Sequence, residues 1–341
     1  MTAVASTSQP SRPARPSAHR PVATRHLTCV HDLAQHEVHG LLALAARIKR
    51  DPSTWSTAFR GMALALAFEK PSLRTRASFE VGFQLMGGSV VFMDQRDSPI
   101  GQREALSDWA RSMERWFDAL VVRTMSHGTV EGLTAWSSIP VVNALSDLHH
   151  PCQAMADLLT LAERFGSPAT PHVAWVGDGN NVCHSLMEGI ASVGGRLTVI
   201  TPAGFAPSAD IVRAVQARCM RTGASIRFTH DPEAVAGVNA VYTDTWISMG
   251  EADAEPKRTA LRPYQVNAAL MAKAAPGAVF MHCLPAHRGE EVTDDVIDAA
   301  TSVVFDQAEN RMHVQCAILL ALLRPDLVEL PTTFVPADFA A

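Results

Sequence analysis

Short apolar runs, each followed by a stretch of helical spacing, recur along most of the chain, and this alternation limits the fold more than any single motif does. The run Met62 to Phe68 leads into a helical pattern over 75–86, and Ser89 to Met93 follows Gly87-Gly88. A helix near 103–116 precedes the run Ala119 to Val122, and another near 128–136 precedes Pro140 to Asn143. Strands separated by helices form a parallel sheet with crossover connections. Ahead of this unit, Leu41, Leu42, Leu44 and Ile48 give a helix over about 36–48. His150-Pro151-Cys152-Gln153 then opens a long helix whose apolar face is Met155, Leu158, Leu159, Ala162 and Phe165, with Gly166 placed to end it. The alternation restarts with strands at 172–176, 197–201, 225–228, 240–243, 278–282 and 302–305. Helices over 182–193 and 208–222 lie between them, and a last one spans 310–323. The predicted fold is α/β, with two doubly wound parallel-sheet domains divided near 150–167.

The chain has 341 residues, enough for two full cores, and its formal charge of −5 implies no basic face for nucleic acid. Six scattered cysteines, with no Cys-x-x-Cys pair, suit free thiols in a reducing, cytoplasmic setting rather than a disulfide frame or a zinc site. No apolar stretch approaches the length of a membrane span. Residues 1–31 lack Asp and Glu but carry four arginines and several prolines; they read as a disordered extension, with an organelle-targeting signal as the alternative.

Four segments at strand ends carry polar chemistry. In Ser72-Leu73-Arg74-Thr75-Arg76, two hydroxyls and two guanidiniums sit at a helix start, where unpaired N–H groups and the dipole favour a dianion. The alternative is a capped helix with surface arginines. Gly177-Asp178-Gly179-Asn180-Asn181-Val182 half-matches a dinucleotide fingerprint, but Val182 replaces the third glycine, so it reads as a tight turn at a sheet edge. Asp244 through Ser248-Met249-Gly250 offers a carboxylate and a hydroxyl for an amino acid, or an Asx turn. His282-Cys283-Leu284-Pro285-Ala286-His287 invites a metal reading but has no further ligand pair to complete one; Cys283 beside Asp244 can instead touch an amine. Arg123 and Arg311 lie at further strand or helix ends, and with Arg74, Arg76 and His150 they form a site hypothesis.

Phe68 through Arg76, His150-Pro151-Cys152-Gln153, Asp244 through Gly250, and His282-Cys283-Leu284-Pro285 occur in this order. Together they resemble the aspartate/ornithine carbamoyltransferase family over about 26–325, and Ser248-Met249-Gly250 resembles its ornithine branch. The resemblance implies a disordered tail over 1–25 and a carbamoyl-phosphate domain over 26–150, completed by 310–330 as the C-terminal helix packs back. An ornithine domain over 151–309, including the linking helix, would complete the chain. It places Ser72, Leu73 (through its backbone), Arg74, Thr75, Arg123, His150, Gln153, Cys283, Leu284 and Arg311 around carbamoyl phosphate. Asn181, Asp244, Ser248 and Met249 would hold ornithine, and Arg74, Arg123, His150 and Cys283 would carry the catalysis. A cis Leu284-Pro285 bond, no metal, no cofactor, and a homotrimer or multiple of trimers are also implied. One departure stands out: Pro99 and Ala105 occupy positions where many members carry glutamine and serine. Two alternatives stay open on the sequence, namely transfer to another amine such as putrescine, or a catalytically weak regulatory paralogue.

Overall fold

The computed structural model describes residues 21–247, 255–331 and 339, and among these nine strands and eleven α-helices build the fold. The first half runs α1 (Gln35–Arg50), β1 (Ala63–Phe68), α2 (Leu73–Leu85), β2 (Ser89–Asp94), α3 (Leu106–Trp116), β3 (Ala119–Arg123), α4 (His127–Trp136) and β4 (Val141–Leu145). The linking helix α5 (Pro151–Phe165) follows. The second half contains β5 (His172–Val176), α6 (Asn181–Val193), β6 (Arg196–Ile200), α7 (Ala209–Thr222), β7 (Ser225–Thr229) and β8 (Ala240–Thr243). It continues with α8 (Glu255–Leu261), α9 (Ala268–Met271), β9 (Val279–His282) and α10 (Asp294–Ile297), and α11 (Val304–Leu323) closes the order.

Both sheets are parallel throughout, with strand orders β2-β1-β3-β4 and β7-β6-β5-β8-β9. The central strands β1, β3, β5 and β8 are apolar along nearly their whole length because helices cover both faces, and a strand buried on two sides gains nothing from alternation. Each sheet reverses its winding once, between β1 and β3 in the first and between β5 and β8 in the second. At such a reversal the loops leaving the two strands diverge and open a crevice at the carboxyl edge. The segments after β1, β3, β5 and β8 are those that carry Ser72, Arg123, Asn180 and Asp244.

The linking helix α5 is buried along most of its length, and Gly166 ends it at φ 75°, a conformation that costs glycine little. Helix α11 packs against α1, α2 and α5, so the last helix does return to the first half. At Gly82 on α2 a Cβ would lie 2.7 Å from the Cys316 sulfur on α11, so the two helices touch where a side chain is missing.

The expected strand at 302–305 is absent. Ser302 makes a single bridge to Phe280, after which the backbone turns into α11 at Val304. The helix therefore begins six residues earlier than its apolar pattern suggested, because Gln307, Asn310 and Arg311 are buried polar residues on the face that meets the protein. Arg311 lies inside the helix rather than before it. Within the segment assigned to the tail, the chain is packed from Pro21 onward: Val22 is buried, and the Ala23 N–H donates to Glu37. Leu27 bridges in parallel to Val142 and extends the first sheet. Among the described residues no helix is long and apolar enough to cross a membrane.

Candidate active site

Ser72 caps α2. Its Oγ accepts from the Thr75 N–H at 3.3 Å and meets Thr75 Oγ1 at 2.8 Å, which leaves the other first-turn amides for a ligand. The Leu73 side chain is 80% exposed and takes no part in a pocket, so only its backbone faces the helix start. Arg74 is half-buried and makes no hydrogen bond or ion pair among the described residues. Thr75 is fully buried and its hydroxyl accepts from Arg311 Nη2 at 2.8 Å, which brings the last helix to the first motif.

Around this helix start lies a set of buried nitrogens with too few partners. Arg123 Nε, Arg311 Nε and His150 Nδ1 are each buried without a hydrogen bond. Burial, followed by the neighbouring Arg311 charge, pulls Arg123 down to about 10. His150 is held well below its ordinary value by burial and by Arg311 and Arg123, so it is a neutral imidazole at pH 7. Its backbone N–H donates to Ser185 Oγ at 2.7 Å, which fixes the residue against α6. Gln153, one turn into α5, donates to Asp157 at 2.9 Å and keeps a buried, unpartnered Oε1. Buried donors without acceptors are costly, and a dianion would satisfy several at once.

The opposing edge has the other sign. Asp244, beyond β8, accepts from Asn180 Nδ2 at 2.8 Å and from the Cys283 thiol at 3.0 Å. Burial and the adjacent Asp244 push the Cys283 thiol well above its usual range, so it is protonated. The Arg311 charge acts on the Cys283 thiol in the opposite direction, and Cys283 in turn acts on Arg123. Leu284 follows at φ 56°, unusual for a branched side chain, with a cis bond to Pro285. Its N–H donates to His282 Nδ1 at 2.9 Å, while His282 Nε2 lies 3.1 Å from Glu291 Oε1. Both nitrogens of His282 are thus engaged, which weakens the metal reading of that motif although Asp244, His282 and Cys283 lie close together. Asn181 donates to the Ser146 carbonyl at 2.6 Å and ties the two halves, while its neighbour Asn180 caps α6 and reaches Asp244. Ser248 and Met249 lie outside the described residues.

Two buried acids escaped sequence reasoning. Asp157, fully buried on α5, accepts from Gln153, from Gln307 at 2.8 Å and from Tyr242 at 3.0 Å, and so joins α5, α11 and β8 behind the cations. Burial is the largest influence on it and raises its pKa to about 6. Its position on a helix otherwise apolar from Ala154 to Leu159 was the available signal. Glu69 accepts from the Ile100 N–H at 2.9 Å and the Met125 N–H at 2.7 Å, clamping the loops after β2 and β3. An acid directly at the end of an apolar strand was its signal. The Pro99 loop makes a turn in which the Gln102 N–H bonds to the Pro99 carbonyl and Gly101 takes φ 87°. Residues 101–105 are exposed.

Two parallel-sheet halves with a cationic edge facing an acidic one define a transferase-like cleft for an anionic donor and an amine acceptor. The chain belongs to the aspartate/ornithine carbamoyltransferase family: the carbamoyl-P binding domain of that family matches residues 25–163, and its Asp/Orn binding domain matches 170–322. A curated ornithine carbamoyltransferase from Shewanella oneidensis is 49% identical over 300 residues, 87% of this chain and 99% of its own length. One from Pyrococcus horikoshii is 43% identical over 307 residues, covering 88% and 96% of the two chains. Among solved structures, the ornithine carbamoyltransferase from Pyrococcus furiosus superimposes with a TM-score of 0.86 at 42% identity, over 90% of this chain and 99% of that one. That from Thermus thermophilus gives 0.80 at 42%, over 88% and 99%.

Proposed function

We propose that the chain transfers the carbamoyl group of carbamoyl phosphate to the δ-amine of L-ornithine, giving L-citrulline and phosphate. The observation that carries this reading is the set of buried, unpartnered nitrogens on Arg123, His150 and Arg311 beside the Ser72-capped helix, with Asp244 across the cleft. The phosphate sits on the amides of α2 with Ser72, Leu73, Arg74 and Thr75, and Arg311 adds charge. Arg123, His150 and Gln153 face the carbamoyl group, the Gln153 Oε1 accepting from its NH₂. Leu284 presents its backbone to the same NH₂, and Cys283 lies between the ligands. Asp244 takes the α-amino end of ornithine, together with Asn181 or its neighbour Asn180, Ser248 and Met249. The first domain, 26–150 completed by 310–330, serves the donor, and 151–309 serves the acceptor.

The neutral amine attacks the carbamoyl carbon, a C–N bond forms, and the carbonyl π pair moves onto oxygen. That oxyanion faces Arg123, His150 and Thr75, fixed donors that need no reorganisation and whose removal costs roughly 10²–10³-fold singly in comparable sites. Collapse of the intermediate breaks the C–O bond to phosphate, which leaves with the pair and takes the proton from the nitrogen, ending as the hydrogen phosphate dianion. Holding both reactants in line across the cleft contributes up to about 7–11 kcal/mol. A neutral His150 donates or accepts a hydrogen bond without adding a third full charge to the pocket.

The curated relatives favour ornithine over putrescine, and the intact constellation speaks against a weak paralogue. A cytoplasmic homotrimer, or a multiple of trimers, belongs to the same proposal; exposed Leu73 and Trp116 offer apolar surface for an interface. The test is citrulline formation by the purified protein from carbamoyl phosphate with ornithine, N-acetylornithine, putrescine or aspartate, alongside its mass by sedimentation. Saturable turnover with ornithine alone is the expected result; turnover with a different amine overturns the acceptor assignment.

A further inference from the structure

Away from the cleft, Cys29, His149 and Glu188 bring a sulfur, a ring nitrogen and a carboxylate oxygen within 4.8 Å of one another. They come from three separate parts of the chain: the segment before α1, the loop between β4 and α5, and the middle of α6. His31 borders this cluster without lying within that distance of all three, its Nδ1 being 3.0 Å from Glu188 Oε1, and it would turn in to become a fourth donor. His149 Nδ1 is 3.5 Å from that same oxygen, is buried, and has no hydrogen-bond partner. His149 itself is only 4% exposed, so a buried imidazole nitrogen faces the cluster with the Glu188 carboxylate near it but no hydrogen bond made.

We propose that these four residues form a zinc site, with Cys29 Sγ, His31, His149 and Glu188 as ligands. A thiolate, two imidazoles and a carboxylate are the donors zinc accepts in tetrahedral sites at about 2.0–2.3 Å, whereas calcium and magnesium take oxygen. The charges close as well: one thiolate and one carboxylate neutralise a dication, so the occupied cluster is neutral and its burial is not penalised by a net charge. On binding, the Cys29 thiol gives its proton to solvent and a sulfur–metal bond forms. The sulfur's 3.6 Å contact with Asp32 Oδ1 is given up, while Asp32 Oδ2 keeps its bonds to the backbone N–H groups of Thr28 and Cys29.

The neighbouring histidines do not compete. His184 meets the Leu148 carbonyl through Nδ1 and the Ser208 N–H through Nε2, and His127 Nδ1 meets Ser146 Oγ. Without an ion, burial followed by the Glu188 and Asp32 charges keeps Cys29 protonated. Because His149 precedes His150, the ion would staple the N-terminal segment and α6 to the loop that carries a catalytic imidazole.

The test is titration of chelator-stripped, full-length protein with cobalt(II). One equivalent should bind with a thiolate-to-cobalt charge-transfer band, Cys29→Ser should remove that band, and Cys283→Ser should leave it. Zinc affinity, read by competition, should fall roughly 100-fold or more in Cys29→Ser and in Glu188→Gln, the latter keeping the band. Citrulline formation by Cys29→Ser reports that this variant folds, and Glu188→Gln serves if it does not. Absence of the band at saturating cobalt, or a band that survives Cys29→Ser, overturns the proposal.

Discussion

The two sheets present their carboxyl edges to one cleft, yet the edges are built on opposite principles. The first edge gathers Arg74, Arg123, His150 and Arg311 with donors left unpaired. The second holds Asp244 with both oxygens already bonded, by Asn180 and Cys283. An edge with unmet donors is under standing electrostatic cost, and a dianion relieves it. An edge whose acid is already satisfied has to exchange partners to bind an amine. The first edge should therefore dominate binding energy, and the second should govern which acceptor is chosen.

That asymmetry breaks most visibly at Arg74. Because it has no side-chain partner among the described residues, Arg74→Ala should lower kcat/KM for carbamoyl transfer roughly 10²–10³-fold or more while the Tm stays put. Unchanged kcat/KM would remove Arg74 from the site. Asp244→Ala should raise the KM for ornithine roughly 10–100-fold, the worth of a charged hydrogen-bonding partner, with a much smaller change for carbamoyl phosphate. Equal losses for both substrates would contradict a division of labour between the edges.

Behind both edges, Asp157 sharpens the comparison through pH. Its pKa in the folded protein, about 6, lies above the ordinary carboxylate value of 3.8, so the folded state binds its proton more tightly than the unfolded chain does. The stabilisation this proton confers is complete below about pH 4, declines as pH rises to about 6, and is gone above that. Thermal unfolding of the parent and Asp157→Asn should therefore diverge: the parent's Tm relative to the variant falls between pH 4 and 6 and levels off above it. A constant difference across that range would mean that Asp157 titrates normally. The smallest effect is expected from Ser72→Ala, where loss of the α2 cap should cost about 1 kcal/mol of stability together with a modest rise in the carbamoyl phosphate KM. A variant as stable as its parent would show that the Ser72 cap is not formed in solution.

Most strand and helix positions were legible because a sheet covered on both faces demands apolar runs, and the central strands β1, β3, β5 and β8 supply them. The run at 302–305 failed because apolarity cannot tell a strand from the first turn of a buried helix; the polar face that settles it, with Gln307, Asn310 and Arg311, faces other helices rather than water. Ser72, Arg123 and Asp244 were readable as polar residues at strand ends. Asp157 was not, since its three partners come from Gln153, Tyr242 and Gln307, which only the tertiary fold brings together. Asn180 and Asn181 could not be ranked for the same reason: adjacent residues at a helix start point in different directions, one to Asp244 and one to Ser146.

The bond from Arg311 to Thr75 spans 236 positions of sequence. A ribosome adding about 5–20 residues per second needs roughly 12–47 s to cover that distance. For that interval the first sheet can form with its helix start capped but without the guanidinium that completes the pocket. A growing chain therefore emerges with its acceptor edge in place before its donor pocket is finished. Catalytic competence arrives as one late event, when α11 closes onto α2, and nascent fragments ending before it have the strands of the enzyme without its charge.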